Sequence, residues 1–347
     1  MYIKKWICKQ ASSYYLAHLH SFQTLQFIIL YTMTKPASLT YLEASTPLEE
    51  IYKVIERDGG VIIRNFLSSE LLQEAMSSIE PHFAVRGNYE SKSTHQELGE
   101  DFFPSGSLRI YGLLGKIPQV ITKIVRLPTW QGVMARFLND EYSSYTGEKL
   151  IPQKSGYMLA STAALRLVPG AQKQPLHRDQ IAYQIRPDPT NPLFTPMVGC
   201  LIAGSKCTKK NGATAVIPGS HLWGPDRAPH VEECTYAEME AGDALFTLGS
   251  CYHGAGENQC EKSDPDALRT LFAVFGQRDY FRQDQEEILS TPLELARTFP
   301  EDILRIAGYY KAVGGVGYVE DHQDPVEFLK AGSSLGQFAP IPSKSYV

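Results

Sequence analysis

Apolar positions recur at helical spacing towards both ends of the chain and collapse into short continuous runs in its middle. The first helix start is Ser45-Thr46-Pro47-Leu48-Glu49. Thr46 reads as its N-cap, Pro47 as the first helical residue and Glu49 as the partner three residues after the cap, and Gly59-Gly60 supplies the stop. The same logic returns in Thr291-Pro292-Leu293-Glu294, whose apolar positions run on through Leu295, Ile303, Leu304 and Ile306 with an interruption at Pro300. Two further helical stretches are expected over residues 70–83 and 118–138. From 157 to 280 the pattern changes to β-rich runs bounded by Gly, Pro, Asn and Asp, at 164–168, 197–203, 213–217, 244–248 and 268–275. Many short strands between turn signals predict a mainly β fold with a closed or double-sheet core, namely a sandwich, barrel or jelly roll, and flanking α-helices before and after it. No internal repeat or low-complexity tract interrupts it. Residues 90–100 and 257–267 read as exposed polar loops.

Composition narrows the partners. The 347 residues are 43% hydrophobic and 20% charged, enough for a substantial core, and 33 basic against 38 acidic residues give a formal net charge of -5. With no long basic run, a nucleic-acid or anionic-membrane footprint is not expected. Six cysteines show no Cys-x-x-Cys pair and read as reduced thiols of a cytoplasmic protein. No stretch reaches the roughly 18 to 20 apolar residues of a membrane span. Lys4, Lys5 and Lys9 precede a short apolar run at residues 27–31, the charge order of a signal peptide, but Gln23 and Gln26 break the run and no small-residue cleavage site follows. Residues 1–32 are therefore expected to be an extension outside the fold, and residues 33–347, starting at Met33, a single domain.

Candidate chemistry starts from the histidines. His177-Arg178-Asp179 puts an imidazole and a carboxylate on one side of an extended backbone. Such a pair arises by chance, and a second one, His322-Gln323-Asp324, lies beyond the last β run with no histidine after it, which suits a solvated loop. The first pair lies among β runs and is followed by His253, in Cys251-Tyr252-His253-Gly254. Two imidazoles and one carboxylate leave open positions on a metal, as in non-haem Fe(II) oxygenases, whereas zinc would more often bring further histidines or thiolates. A halogenase would leave the carboxylate position vacant for halide, and Asp179 fills it. Arg269 opens the alternating run Leu268-Arg269-Thr270-Leu271-Phe272-Ala273-Val274-Phe275 and shares a face with Leu271, Ala273 and Phe275. An arginine facing a core needs an anion. That anion is either the carboxylate of a keto-acid co-substrate, held by the guanidinium fork, or a structural Asp or Glu.

These residues, together with Asn211-Gly212-Ala213-Thr214, Ile217-Pro218-Gly219-Ser220-His221-Leu222-Trp223-Gly224 and Gly242-Asp243-Ala244, closely resemble the phytanoyl-CoA dioxygenase family. Within it the chain is most similar to the verruculogen-synthase-like fungal dioxygenases of meroterpenoid and alkaloid pathways, over roughly residues 46–300. The resemblance implies a double-stranded β-helix (jelly-roll, cupin-like) enzyme with His177, Asp179 and His253 as Fe(II) ligands. It implies Gln174, Thr214 and Arg269 as contacts of 2-oxoglutarate, and Arg109 as a further position near that co-substrate. His221 would then belong to a loop and not to the metal. Met197 and Phe275 are expected to face substrate. The implied reaction consumes O2 and 2-oxoglutarate, releases succinate and CO2, and hydroxylates, desaturates, epoxidises or rearranges a bulky apolar metabolite. A homodimer is also implied. Two alternatives stand beside it: an acyl-CoA hydroxylase using Lys206, Lys209 and Lys210 for the CoA phosphates, and a catalytically silent binding module.

Overall fold

The computed structural model describes residues 38–86, 102–103, 106–183, 191–319 and 322–330. The N-terminal extension expected at residues 1–32 and the polar loop expected at 90–100 lie outside the described residues.

The apolar runs of the middle region become a large sheet because both of its faces are covered. Its strands are β1 (Tyr41–Glu43), β2 (Gly60–Arg64), β3 (Ser107–Tyr111), β6 (Tyr157–Leu167), β7 (Met197–Ala203), β10 (Ala244–Leu248) and β12 (Arg269–Arg278). They lie in the order β1-β2-β10-β7-β12-β6-β3, antiparallel except for the parallel edge pair β1–β2. A smaller antiparallel sheet joins β8 (Ala215–Val216), β9 (Thr235–Tyr236) and β11 (His253–Gly254) in the order β11-β8-β9. The pleat sorts the side chains. Ile63, Phe246, Cys200, Phe272 and Ala164 point into a core shared with the helices. Their neighbours Ile62, Leu245, Leu201, Leu271 and Ala163 point the other way and pack with Val216, Ala213 and Met239 of the small-sheet side. The result is a double-sheet jelly roll covered by helices on the outer face of its larger sheet.

The helical layer supplies the outer cover. Helix α1 (Leu48–Asp58) buries Ile51 and Ile55 and is stopped by Gly59 at φ 76°, whose N–H donates to Ile55 O. The helix begins one residue later than the capping pattern suggests. Pro47 takes the cap position and no side chain caps it, so Thr46 is not the N-cap. Helix α2 (Ser69–Arg86) runs through Pro81, and a short α3 spans Leu113–Lys116. The single helix expected over 118–138 is two, α4 (Pro118–Ile124) and α5 (Pro128–Leu138). Pro128 holds Leu127 extended, at ψ 131°, and restarts the helix at its own first turn. Trp130 on α5 is fully buried, and its indole N–H donates to Val274 O at 3.0 Å, which fastens the helix to β12. Towards the C-terminus come α6 (Glu287–Ser290), α7 (Leu293–Ala296), α8 (Glu301–Ile306) and α9 (Pro325–Lys330), with Pro300 at the start of α8 where the sequence pattern breaks. A solvent-facing hairpin of β4 (Glu141–Thr146) and β5 (Lys149–Lys154) precedes β6 and is not expected from the sequence.

One buried carboxylate in this layer gives stability a pH dependence. Glu287 accepts hydrogen bonds from the N–H and the hydroxyl of Thr162, both at 2.6 Å, while its Oε2 is buried without a donor. Burial pushes its carboxyl from 4.5 up to about 7, against the pull of the Thr162 bonds. The native state therefore holds a proton that the unfolded chain releases near 4.5. The stabilisation is complete below that pH and is lost as pH rises through about 7, by about 3 kcal/mol at 1.36 kcal/mol per pH unit. Urea midpoints should accordingly fall between pH 5 and pH 8 in the wild type and fall much less in Glu287→Gln. Parallel pH profiles for the two proteins would rule this account out.

Candidate metal centre

The two imidazoles are brought together by backbone pairing. His177 ends the irregular segment after β6 and forms an isolated antiparallel bridge with His253 at the start of β11, each N–H donating to the other's carbonyl at 2.9 Å. Residues directly opposed across such a bridge present their side chains on one face, and the ring centroids lie 4.7 Å apart. Close approach is possible because residue 254 is glycine: a Cβ there would stand 3.0 Å from Gln174 O and 3.1 Å from Pro175 O. Asp179 then opens a short 3-10 helix (Asp179–Tyr183), whose turn returns its carboxylate to the same face. Its Oδ1 lies 3.4 Å from His177 Nε2 and 3.5 Å from His253 Nε2. One ligand atom from each residue falls within 4.8 Å of the others.

The surroundings suit a cation. His177 Nδ1 is 2.8 Å from Pro175 O and His253 Nδ1 is 3.1 Å from Cys251 O. A carbonyl facing Nδ1 places the proton there and leaves the Nε2 lone pair turned to the cluster centre. Burial keeps the His253 imidazole below its ordinary pKa, which favours the neutral, ligating form. Burial alone would raise the Asp179 carboxyl, but His253 and His177 together hold it below the usual carboxylate value. Its Oδ2 is buried with no hydrogen-bond donor among the described residues, a position that a metal ion would satisfy. The three residues can therefore hold a metal.

The triad opens on a cavity of about 310 Å³ between the two sheets, lined by alternate residues of β6, β7 and β12. Met197, Phe275, Gln174, Thr214 and Arg269 all stand in its wall. Arg269 is 2% exposed, and its Nε and Nη2 donate to Gly212 O. Among the described residues no carboxylate pairs with it, so the structural salt bridge considered for this arginine is not formed. Gln174 accepts the Ala255 N–H at 3.3 Å, and Thr214 is buried next to β8. Arg109 is not in the wall itself. It lies opposite Leu165 in the β3–β6 ladder, with its guanidinium 4.0 Å over the ring of Phe103, which is a wall residue.

The family model for phytanoyl-CoA dioxygenase (PhyH) matches residues 55–263. The chain belongs to the phytanoyl-CoA dioxygenase family. It is a dioxygenase of that family and is 31% identical over 295 residues to "Dioxygenase swnH1" of Arthroderma benhamiae, covering 84% of this chain and 92% of that one. It is 29% identical to "Dioxygenase peniF" of Penicillium patulum, covering 82% and 89%. Among solved structures, the non-heme alpha ketoglutarate dependent carbocyclase SnoK from nogalamycin biosynthesis superposes with a TM-score of 0.50 at 18% identity, over 74% of this chain and 93% of that one, and so shares its fold.

The phytanoyl-CoA dioxygenase assignment leaves the rival residues elsewhere. His221 stands apart from the triad, with Nε2 3.1 Å from Glu56 O. Cys251 is buried, its thiol pushed up to about 12 by burial. Asp324 receives the Val326 N–H at 2.9 Å at the start of α9, so the second His-x-Asp pair serves a helix end. Lys206 and Lys210 pair with Glu240 and Asp264, both at distances of 2.8 Å or less, and Lys209 lies over the Tyr236 ring. Two charged wall residues are not evident from the sequence. Arg178 donates to Ser220 O and Trp223 O and lies 4.3 Å over the Tyr252 ring, fastening the turn that carries His177 and Asp179 to the Pro-Gly-Ser-His loop. Its place between His177 and Asp179 is the one signal that could have marked it. Asp284 also lines the cavity, and no motif surrounds it.

Proposed function

We propose that the chain is an Fe(II)- and 2-oxoglutarate-dependent dioxygenase that oxidises a bulky, largely apolar secondary metabolite and releases succinate and CO2. The observation that carries this reading is the convergence of two Nε2 atoms and one carboxylate oxygen beside a buried arginine with no acidic partner among the described residues, in one cavity. His177, Asp179 and His253 would hold the iron on one face and leave the other open, the arrangement of non-haem Fe(II) oxygenases. Arg269 would fix the distal carboxylate of 2-oxoglutarate in a fork, with Gln174 and Thr214 beside it and Arg109 steadying the nearby wall. When bound, iron would supply the oxidative chemistry, with O2 as oxidant and 2-oxoglutarate as the source of electrons.

The protein's own work is placement. Met197, Leu201, Ala273 and Phe275 form an apolar wall that would orient a C–H bond and exclude water. The Pro175 and Cys251 carbonyls hold both imidazoles in the ligating tautomer. A homodimeric, cytoplasmic enzyme with residues 33–347 as its catalytic domain completes the proposal. Anaerobic titration with Fe(II) and then 2-oxoglutarate should produce the weak visible charge-transfer band of a keto acid chelated to iron. Absence of that band, together with tight binding of a different metal, would overturn the assignment.

A further inference from the structure

Arg269 carries donors on two edges of its guanidinium, and the chain occupies one of them. Nε and Nη2 both donate to Gly212 O, while Nη1 meets no acceptor among the described residues. Arg269 is 2% exposed and stands in the cavity wall, so the edge formed by Nη1 and Nη2 is the one offered to a ligand. The choice of a carbonyl for the inner edge matters. A carboxylate there would fix the group equally well but would cancel its charge, whereas a neutral oxygen sets the orientation and leaves the positive charge for an anion from outside the chain.

That carbonyl is held by a close backbone contact that glycine permits. Gly212 sits at φ 91°, and a Cβ on it would stand 2.8 Å from both Gly256 O and Leu167 Cδ1. A Cβ on Gly256 would stand 2.7 Å from Ala213 O and 3.2 Å from the Gly212 C and Cα atoms. The two segments therefore touch backbone to backbone, with the Gly256 N–H donating to Ala213 O at 3.2 Å. Two buried asparagines tie this contact to the strand that bears the arginine. Asn211 and Asn258 face each other across an isolated antiparallel bridge. Asn211 Nδ2 donates to Lys206 O at 2.9 Å and Asp266 O at 3.0 Å, and Asn258 Nδ2 donates to Ala267 O at 2.8 Å. Both amides thus grip the residues just ahead of Arg269. None of Asn211, Gly212, Gly256 and Asn258 lines the cavity itself.

In the reading proposed above, on which this inference rests, the outer anion is the distal carboxylate of 2-oxoglutarate. We infer that Gly212 and Gly256, locked by Asn211 and Asn258, are positioning residues for the co-substrate: they act through the Gly212 carbonyl to aim the free edge of Arg269 at that carboxylate. A keto acid without a distal carboxylate asks nothing of the guanidinium and is indifferent to this device.

Two keto acids of equal chain length test this, 2-oxoglutarate and 2-oxopentanoate, which lacks the distal carboxylate. Each is titrated into the anaerobic, Fe(II)-loaded protein and read by the visible charge-transfer band. The methyl group added in Gly256→Ala has to push the 212–213 backbone, so 2-oxoglutarate should bind about tenfold more weakly while 2-oxopentanoate and Fe(II) stay within about twofold of the wild type. Asn258→Ala releases Ala267 without adding bulk and should show the same split, which keeps the idea testable if Gly256→Ala prevents folding. If 2-oxopentanoate gives no band in the wild type, Arg269→Met takes its place: in that background Gly256→Ala or Asn258→Ala should change 2-oxoglutarate affinity by less than about twofold. Equal weakening of both keto acids, a further loss in the Arg269→Met background, or an unchanged 2-oxoglutarate affinity in the folded variants would each overturn the inference, because a merely loosened fold does not distinguish the two acids. Absence of the band with 2-oxoglutarate in the wild type would sink the iron reading itself. A normal band without the split sinks only the positioning role.

Discussion

Asp179→Ala is expected to lose iron and, with it, at least about three orders of magnitude of oxidation rate. Losing a hydrogen-bond partner of a metal ligand already costs about 10- to 100-fold in metal affinity, and losing the ligand itself costs more. In this cluster Asp179 is the only anion among the three residues, and its Oδ1 stands 3.4 and 3.5 Å from the two Nε2 atoms. Two measurements check the result without a substrate. Iron retained after dialysis should drop to background in the variant. The wild type should also melt higher with added Fe(II), by about 2.7 kcal/mol at a hundredfold excess over its dissociation constant, and Asp179→Ala should gain nothing. A variant still stabilised by Fe(II) would show that the metal sits elsewhere, and the triad reading would fail.

The parts of this architecture that could be read from the sequence are those where one short stretch carries its own signal. β7 and β10 run over the residues expected for them because strands buried on both faces give unbroken apolar runs ended by turn residues. The triad is legible for a related reason. A His-x-Asp pair and a histidine after the next strands need only strand geometry to converge, and the bridge between His177 and His253 supplies it. What escapes depends on distant contacts. The expected run at 213–217 shrinks to the two residues of β8, since only those pair with β9 and β11. The β4–β5 hairpin exposes Tyr142, Tyr145 and Leu150 and buries no face, so its residues carry no alternation to detect. β2 hides behind Gly59-Gly60, which reads as the end of a helix and is also the start of a strand. Asp284 reaches the cavity only because Gln277 and Tyr183 hold its turn, and no spacing rule links these three residues. Local periodicity thus finds the cavity walls and the candidate metal ligands, whereas a residue such as Asp284 reaches the wall through packing between segments far apart in sequence.

Arg269→Met should weaken 2-oxoglutarate binding by roughly 100- to 1000-fold while leaving iron binding near the wild-type level. Removing one partner of a buried ion pair costs about 3–5 kcal/mol, and each 1.4 kcal/mol is a factor of ten. Methionine keeps the unbranched stem in a site where arginine is 2% exposed, so the loss falls on the guanidinium and not on packing. Lysine is expected to recover only part of the affinity, because a point charge cannot offer two parallel donors to a carboxylate. The free protein carries the opposite sign. Burial already lowers the Arg269 pKa, and among the described residues only Gly212 O meets the guanidinium, so the co-substrate-free variant should melt no lower than the wild type. Titrating the visible band with 2-oxoglutarate measures the first effect, and thermal unfolding with and without 2-oxoglutarate measures the second. An unchanged 2-oxoglutarate affinity in Arg269→Met would remove this arginine from the co-substrate site. A large drop in the melting temperature of the free protein would instead show that the guanidinium serves the fold through Gly212, and that the cavity holds its anion by other means.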